Sequence, residues 1–142
     1  MSKAAFLMIG LLTALLLGAC GGSAPTDVPT AAPTATPSGE EAAALEKVAR
    51  SVIAGADPIP CSACHTIGKV AFGKVGPDLS DIGVRADAAN IRESILDPLA
   101  VIVETCPSGP CDPDEMPLIY AQTLTEEEID ALVWYLIGLT GE

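Results

Sequence analysis

Histidine occurs once in this chain, at position 65, and only seven lysines and arginines stand against nineteen aspartates and glutamates. A single imidazole excludes any site built on paired histidines, and leaves no second histidine to serve as an acid or base. The shortage of cations, with a formal charge of −12, argues against nucleic acid, whose phosphates are met chiefly by Lys and Arg. Charge gives no adsorption to anionic lipid either. Such acidity suits a partner with a basic docking face, or serves solubility alone. No stretch alternates apolar and polar residues at the strand period, so nothing points to a sheet. Cysteine is present five times, and that odd count needs an explanation other than a closed set of disulfides.

The cysteines divide by position. Cys20 ends an apolar N-terminal segment, Cys106 and Cys111 lie close together, and Cys61 and Cys64 belong to Cys61-Ser62-Ala63-Cys64-His65. That stretch reads C-x-x-C-H, the attachment site of a c-type haem. Two thiols with two residues between them can add to the two vinyl groups of one haem from a single helical turn. The imidazole that follows then meets the iron from the proximal side. Zinc would need two more Cys or His nearby. A redox dithiol would need a thioredoxin-like βαβ pattern, which is absent. The expected cofactor is therefore one covalent haem c.

Met1 to Cys20 has one positive charge, Lys3, followed by an apolar run from Ala4 to Ala19. This is the layout of a secretory signal. Its ending, Leu17-Gly18-Ala19-Cys20, resembles the bacterial lipoprotein box, which implies a signal over 1–19 and a lipidated Cys20 at the mature N-terminus. An uncleaved anchor is the alternative, although a span needs about 20 apolar residues. Two acyl chains suffice for stable anchoring. Residues 20–39 turn to Pro, Thr, Ala and Ser, with Pro25, Pro29, Pro33 and Pro37 at every fourth position. Such a segment cannot bury enough surface to fold. It predicts a disordered tether spanning roughly 60 Å at most, at about 3.1 Å per residue.

The folded domain is expected over 40–142. Ser38 and Glu41 fit a capping box, and Leu45, Val48, Ala49, Val52 and Ile53 follow at helical spacing. This first helix stops by Gly55 and Asp57-Pro58. Residues 68–83 read as an irregular loop containing Gly76-Pro77-Asp78-Leu79. A second helix runs from an Asp87 cap to Asp97-Pro98. Leu99 to Val103 is one more helical turn or an extended piece, and 104–122 a loop. Thr125 and Glu128 form another capping box, opening a helix that buries Ile129, Leu132, Val133 and Leu136. Three or more helices without alternating strands predict an all-α domain.

One histidine leaves the far side of a haem iron to be filled. Once the signal is gone, Met116 is the sole methionine, set in Glu115-Met116-Pro117. It is the expected second axial ligand, with Lys47, Lys69 and Lys74 as rivals and plain core filling as the bland alternative. Cys106 and Cys111 enclose Pro107-Ser108-Gly109-Pro110. An exported compartment permits a bridge between them. Closing so small a ring stabilises by about 2 kcal/mol, at the low end for disulfides. Two free thiols is the alternative.

In this order, the first helix, C-x-x-C-H, Gly76-Pro77-Asp78-Leu79, Met116-Pro117 and an aromatic-bearing last helix resemble a class I monohaem cytochrome c domain. The resemblance implies a small helical fold wrapped around one covalent haem. It implies that Pro77 O accepts the His65 Nδ1–H, and that the first and last helices cross with Trp134 or Tyr135 at the contact. It also implies that Arg85 reaches a haem propionate. The Cys106–Cys111 loop and the lack of a lysine ring depart from the family.

The expected function is single-electron transfer between redox proteins of a respiratory or photosynthetic chain, by a lipid-tethered carrier rather than an enzyme. The expected place is the outer face of the cytoplasmic membrane. No small-molecule substrate is expected. A fixed subunit of a quinol-oxidising or oxidase complex is the second reading. A haem enzyme or ligand sensor is the third, and it would need an open distal side.

Overall fold

Local capping chemistry sets the frame. The computed structural model describes residues 37–141. The expected signal (1–19), Cys20 and the tether as far as residue 36 lie outside the described residues, as does Glu142. Helix α1 (Gly39–Gly55) starts one residue before the expected boundary. Ser38 N–H donates to Glu41 Oε2 at 2.8 Å, and Glu41 N–H donates back to Ser38 Oγ. Ala49, Val52 and Ile53 are its buried residues, with Leu45 and Val48 half-buried beside them. Helix α6 (Glu126–Ile137) opens on the second capping box and buries Ile129, Ala131, Leu132, Val133 and Leu136. Packing of α1 against α6 is the most extensive in the domain. Ile53 and Ile129 are each 1% exposed, and burying side chains of that size stabilises by about 1.5–3 kcal/mol apiece. Tyr135 packs against this core.

Helix α4 (Ala88–Leu96) takes its cap from Asp87, whose Oδ1 accepts Asn90 N–H at 2.9 Å. Ile91 and Ile95 face inward, and α4 packs on α6. Arg92 ties the two together through Glu126 and Asp130. Three longer helices therefore form the frame, and four-residue turns fill in the rest. These are α2 (Cys61–Cys64), α3 (Ile82–Arg85) and α5 (Tyr120–Thr123).

The all-α expectation needs a correction in detail. Strands β1 (Thr66–Ile67) and β2 (Ala71–Phe72) pair antiparallel, Thr66 opposite Phe72, and β3 (Thr105–Cys106) pairs with β4 (Gly109–Pro110). Two residues are too few to show an alternating pattern, so sequence periodicity could not reveal them. Gly68 at φ +48° lies in the turn between β1 and β2, and Gly109 at φ +136° opens β4, a region open to glycine at little cost. The span read as a loop over 68–83 thus holds β2 and the start of α3. Residues 99–103 form neither helix nor strand, and the 104–122 loop contains β3, β4 and most of α5. Among the described residues, no helix is long and apolar enough to cross a membrane.

Candidate functional site

Pro60 begins the site. It caps α2 in an extended conformation, and one helical turn carries Cys61 to Cys64. His65 N–H closes that turn on Cys61 O at 3.0 Å. The chain then leaves the helix at His65, with φ −103° and ψ 143°. Cys61 and Cys64 are separate, half-buried thiols. Burial pushes the Cys61 thiol above its ordinary range, so it is protonated at neutral pH.

The His65 ring is held by main chain. Its Nδ1 lies 2.9 Å from Pro77 O, and because a carbonyl can only accept, Nδ1 carries the proton. Nε2 is left with its lone pair free. Burial lowers the imidazole's pKa, opposed in part by the Pro77 bond, so the ring is neutral and able to ligate. The 73–79 segment is fastened to the attachment turn by several backbone bonds. Gly73 N–H donates to His65 O at 3.0 Å, Val75 and Gly76 N–H both to Cys64 O at 2.9 Å, and Leu79 N–H to Thr66 O at 2.8 Å. That closeness explains two glycines. A Cβ on Gly73 would sit 2.5 Å from the Cys64 carbonyl carbon, and one on Gly76 only 2.6 Å from His65 Cε1.

One cleft collects the candidate residues. Cys61, Cys64, His65, Pro77, Arg85, Cys106, Cys111 and Met116 all line it. Its free space, counted out through the open mouth into solvent, is about 1220 Å³. Leu79, Ile82, Ile91, Ile95 and Leu136 supply much of its wall, and the exposed Val101, Ile102 and Val103 lie at its rim. Met116 is half-buried against the core, on a loop that otherwise shows Asp112, Asp114 and Glu115 to solvent. Cys106 and Cys111 are at disulfide distance, with sulfurs 2.02 Å apart. Cys20 lies outside the described residues.

Arg85 is engaged within the chain. Its Nε donates to Asp81 Oδ1 at 2.8 Å and its Nη2 to Asp78 O at 2.6 Å. It therefore braces the turn after Pro77 as well as facing the cleft. Ser80, through its hydroxyl and then its backbone N–H, holds the Asp78 carboxyl below the ordinary carboxylate range. Gly83 meets the last helix so closely that a Cβ would sit 2.0 Å from Ile137 O.

Sequence reasoning missed Tyr120. It is 5% exposed, lines the cleft, and its hydroxyl donates to Ile59 O at 2.8 Å. A tyrosine inside a loop with no periodicity gives no signal of burial.

The donor set discriminates between cofactors. Among the described residues no three of His, Cys, Asp and Glu gather where they could hold a metal ion, which leaves zinc without a site. A neutral imidazole, a thioether and two thiols around an apolar cleft fit a haem with covalent attachment and two axial ligands.

No family model and no curated protein matches the chain. Among solved structures, the c-type cytochrome SorU from Sinorhizobium meliloti is similar at 22% identity and a TM-score of 0.48. The match covers 70% of this chain and 95% of that one. At that level the likeness carries no weight beside the site's own geometry.

Proposed function

We propose that this protein is a membrane-tethered monohaem c-type cytochrome that passes single electrons between redox proteins. One observation carries the reading: Cys61, Cys64, His65 and Met116, drawn from segments more than fifty positions apart, line one apolar cleft. In this reading Cys61 and Cys64 would hold a haem c through thioethers, and His65 Nε2 and Met116 Sδ would ligate its iron. Bound there, the haem supplies a one-electron couple, and Met/His ligation raises its potential. The chain's own residues do the remainder. Pro77 O fixes the His65 tautomer, Gly76 sets how closely the backbone lies on the ring, and the apolar wall excludes water. Arg85, which braces Asp78 and Asp81 and lines the cleft, would meet a propionate.

The tether and the acidity complete the proposal. Cys20 is the lipid anchor, residues 20–39 give the domain its reach, and the outer face of the cytoplasmic membrane is the place of work. Partners present a basic docking face, and association weakens as salt rises.

The test is direct. Protein from a host able to attach haem should keep its haem stain on a denaturing gel, and its reduced form should exclude carbon monoxide. Met116→Ala should keep the stain and admit carbon monoxide. Loss of stain from the wild-type protein defeats the covalent reading. Ready carbon monoxide binding by the wild type defeats the closed distal side, and gives the enzyme or sensor reading the advantage.

A further inference from the structure

Residues 57–59 lead into α2 and make a single hydrogen bond among the described residues. It is the one from the Tyr120 hydroxyl to Ile59 O, across 61 positions of sequence. Pro58 and Pro60 have no N–H, so this segment has few donors of its own to tie it down. Tyr120 belongs to the other segment of the site. It begins α5, where its carbonyl accepts Leu124 N–H at 3.0 Å, and it follows Met116 by four residues. Pro117 removes another backbone donor from that short stretch.

The hydroxyl is the feature that needs explaining. Phe would fill the same volume with the same ring, and a buried phenol is retained where its O–H has a partner. Here the partner is a carbonyl at the entrance to the attachment turn, and the donor sits at the exit of the Met116 loop. Pro60 and Pro117, beside the two ends of that link, line the same cleft as Cys61, Cys64, His65 and Met116. The bond therefore closes a ring through the two halves of the site, one bearing His65 and the other Met116.

We propose that Tyr120 is a positioning residue whose hydroxyl fastens the exit of the Met116 loop to the entrance of the Cys61–His65 segment. In doing so it holds the thioether at the iron against release. The inference rests on the axial role given to Met116 above. Its effect is local: loss of the bond frees the loop while α1, α4 and α6 keep their packing.

Tyr120→Phe tests it in the full-length, haem-loaded protein. Urea titration is followed by two signals, helical circular dichroism and the weak red absorption band of a thioether-ligated ferric haem. In the variant the band should be lost at distinctly lower urea than the helices, with a wider gap than in wild type. Without urea, the reduced variant should take up carbon monoxide several-fold to about tenfold faster, as one hydrogen bond's share of loop closure gives. Tyr135→Phe is the control, since Tyr135 is not among the residues lining the cleft, and it should change neither reading. Equal shifts of band and helix midpoints, with carbon monoxide uptake unchanged, would show that Tyr120 serves stability alone and would overturn the proposal. A wild-type protein that lacks the band overturns the axial role of Met116 itself, and the inference falls with it.

Discussion

Replacing Gly76 by alanine places a methyl group 2.6 Å from His65 Cε1, 2.9 Å from Nδ1 and 3.0 Å from Nε2. Ordinary contact begins near 3.4 Å, so the ring or the 73–79 segment must shift by most of an ångström. The segment has little room to give, because Gly76 and Val75 N–H are both bonded to Cys64 O. The ring is the freer party, and turning it breaks the Nδ1–H bond to Pro77 O. Overpacking of this kind costs about 1–3 kcal/mol, and the lost hydrogen bond about 0.5–1.5 kcal/mol more. Together they remove about 1.5–4.5 kcal/mol from a domain whose total is on the order of 5–15 kcal/mol. The variant should fold, with its Tm lower by roughly 10–20 °C. A change in the haem spectrum should accompany this, because the imidazole is displaced as well as destabilised. Gly55→Ala is the comparison, at the end of α1 with open space around it, and should be neutral or slightly stabilising. A Gly76→Ala protein with wild-type Tm and wild-type spectrum would refute the argument that main chain sets the ring.

Cys20→Ser should abolish lipid modification and release the protein from the membrane fraction, read by intact mass and by detergent partitioning. Unchanged mass and retention would favour the uncleaved anchor. Reducing the Cys106–Cys111 pair should loosen the Met116 loop before the helices unfold, seen as loss of the red band ahead of helical signal. Asp78 has a lowered pKa, so its contribution to stability is present above its unfolded value near 3.8 and is lost as pH falls through the folded value. Asp78→Asn should flatten that part of the acid-unfolding curve. Arg92→Ala breaks two exposed pairs with Glu126 and Asp130. It should cost about 0.5–1 kcal/mol, with the difference shrinking in high salt.

What the sequence discloses here is what short-range chemistry decides. Both capping boxes, the Asp87 cap and the apolar faces of α1 and α6 were legible because each needs only residues within one or two turns. The attachment stretch was legible because the spacing is the chemistry. Met116 came from counting, since the expected mature chain has no other methionine. The remainder depends on who approaches whom. Nothing local tells that Gly73 lies on the Cys64–His65 backbone and Gly76 on the His65 ring, that Gly83 abuts Ile137 O, or that Tyr120 reaches Ile59. The two small hairpins were missed because two-residue strands have no period to read.

The contact between Gly76 and the His65 ring has one more consequence, for how this site tolerates change. The ring is aimed by a carbonyl oxygen and by the absence of a side chain, both properties of the main chain. Neighbouring side chains such as Val75 or Leu79 can drift among apolar types without turning the imidazole. A single carbon at position 76 cannot be absorbed in the same way. Substitution tolerance around the site should therefore be uneven, wide at most wall positions and closed at the few where only hydrogen fits. A saturation library of residues 73–83 scored for haem incorporation would map the backbone's imprint without reference to any side chain.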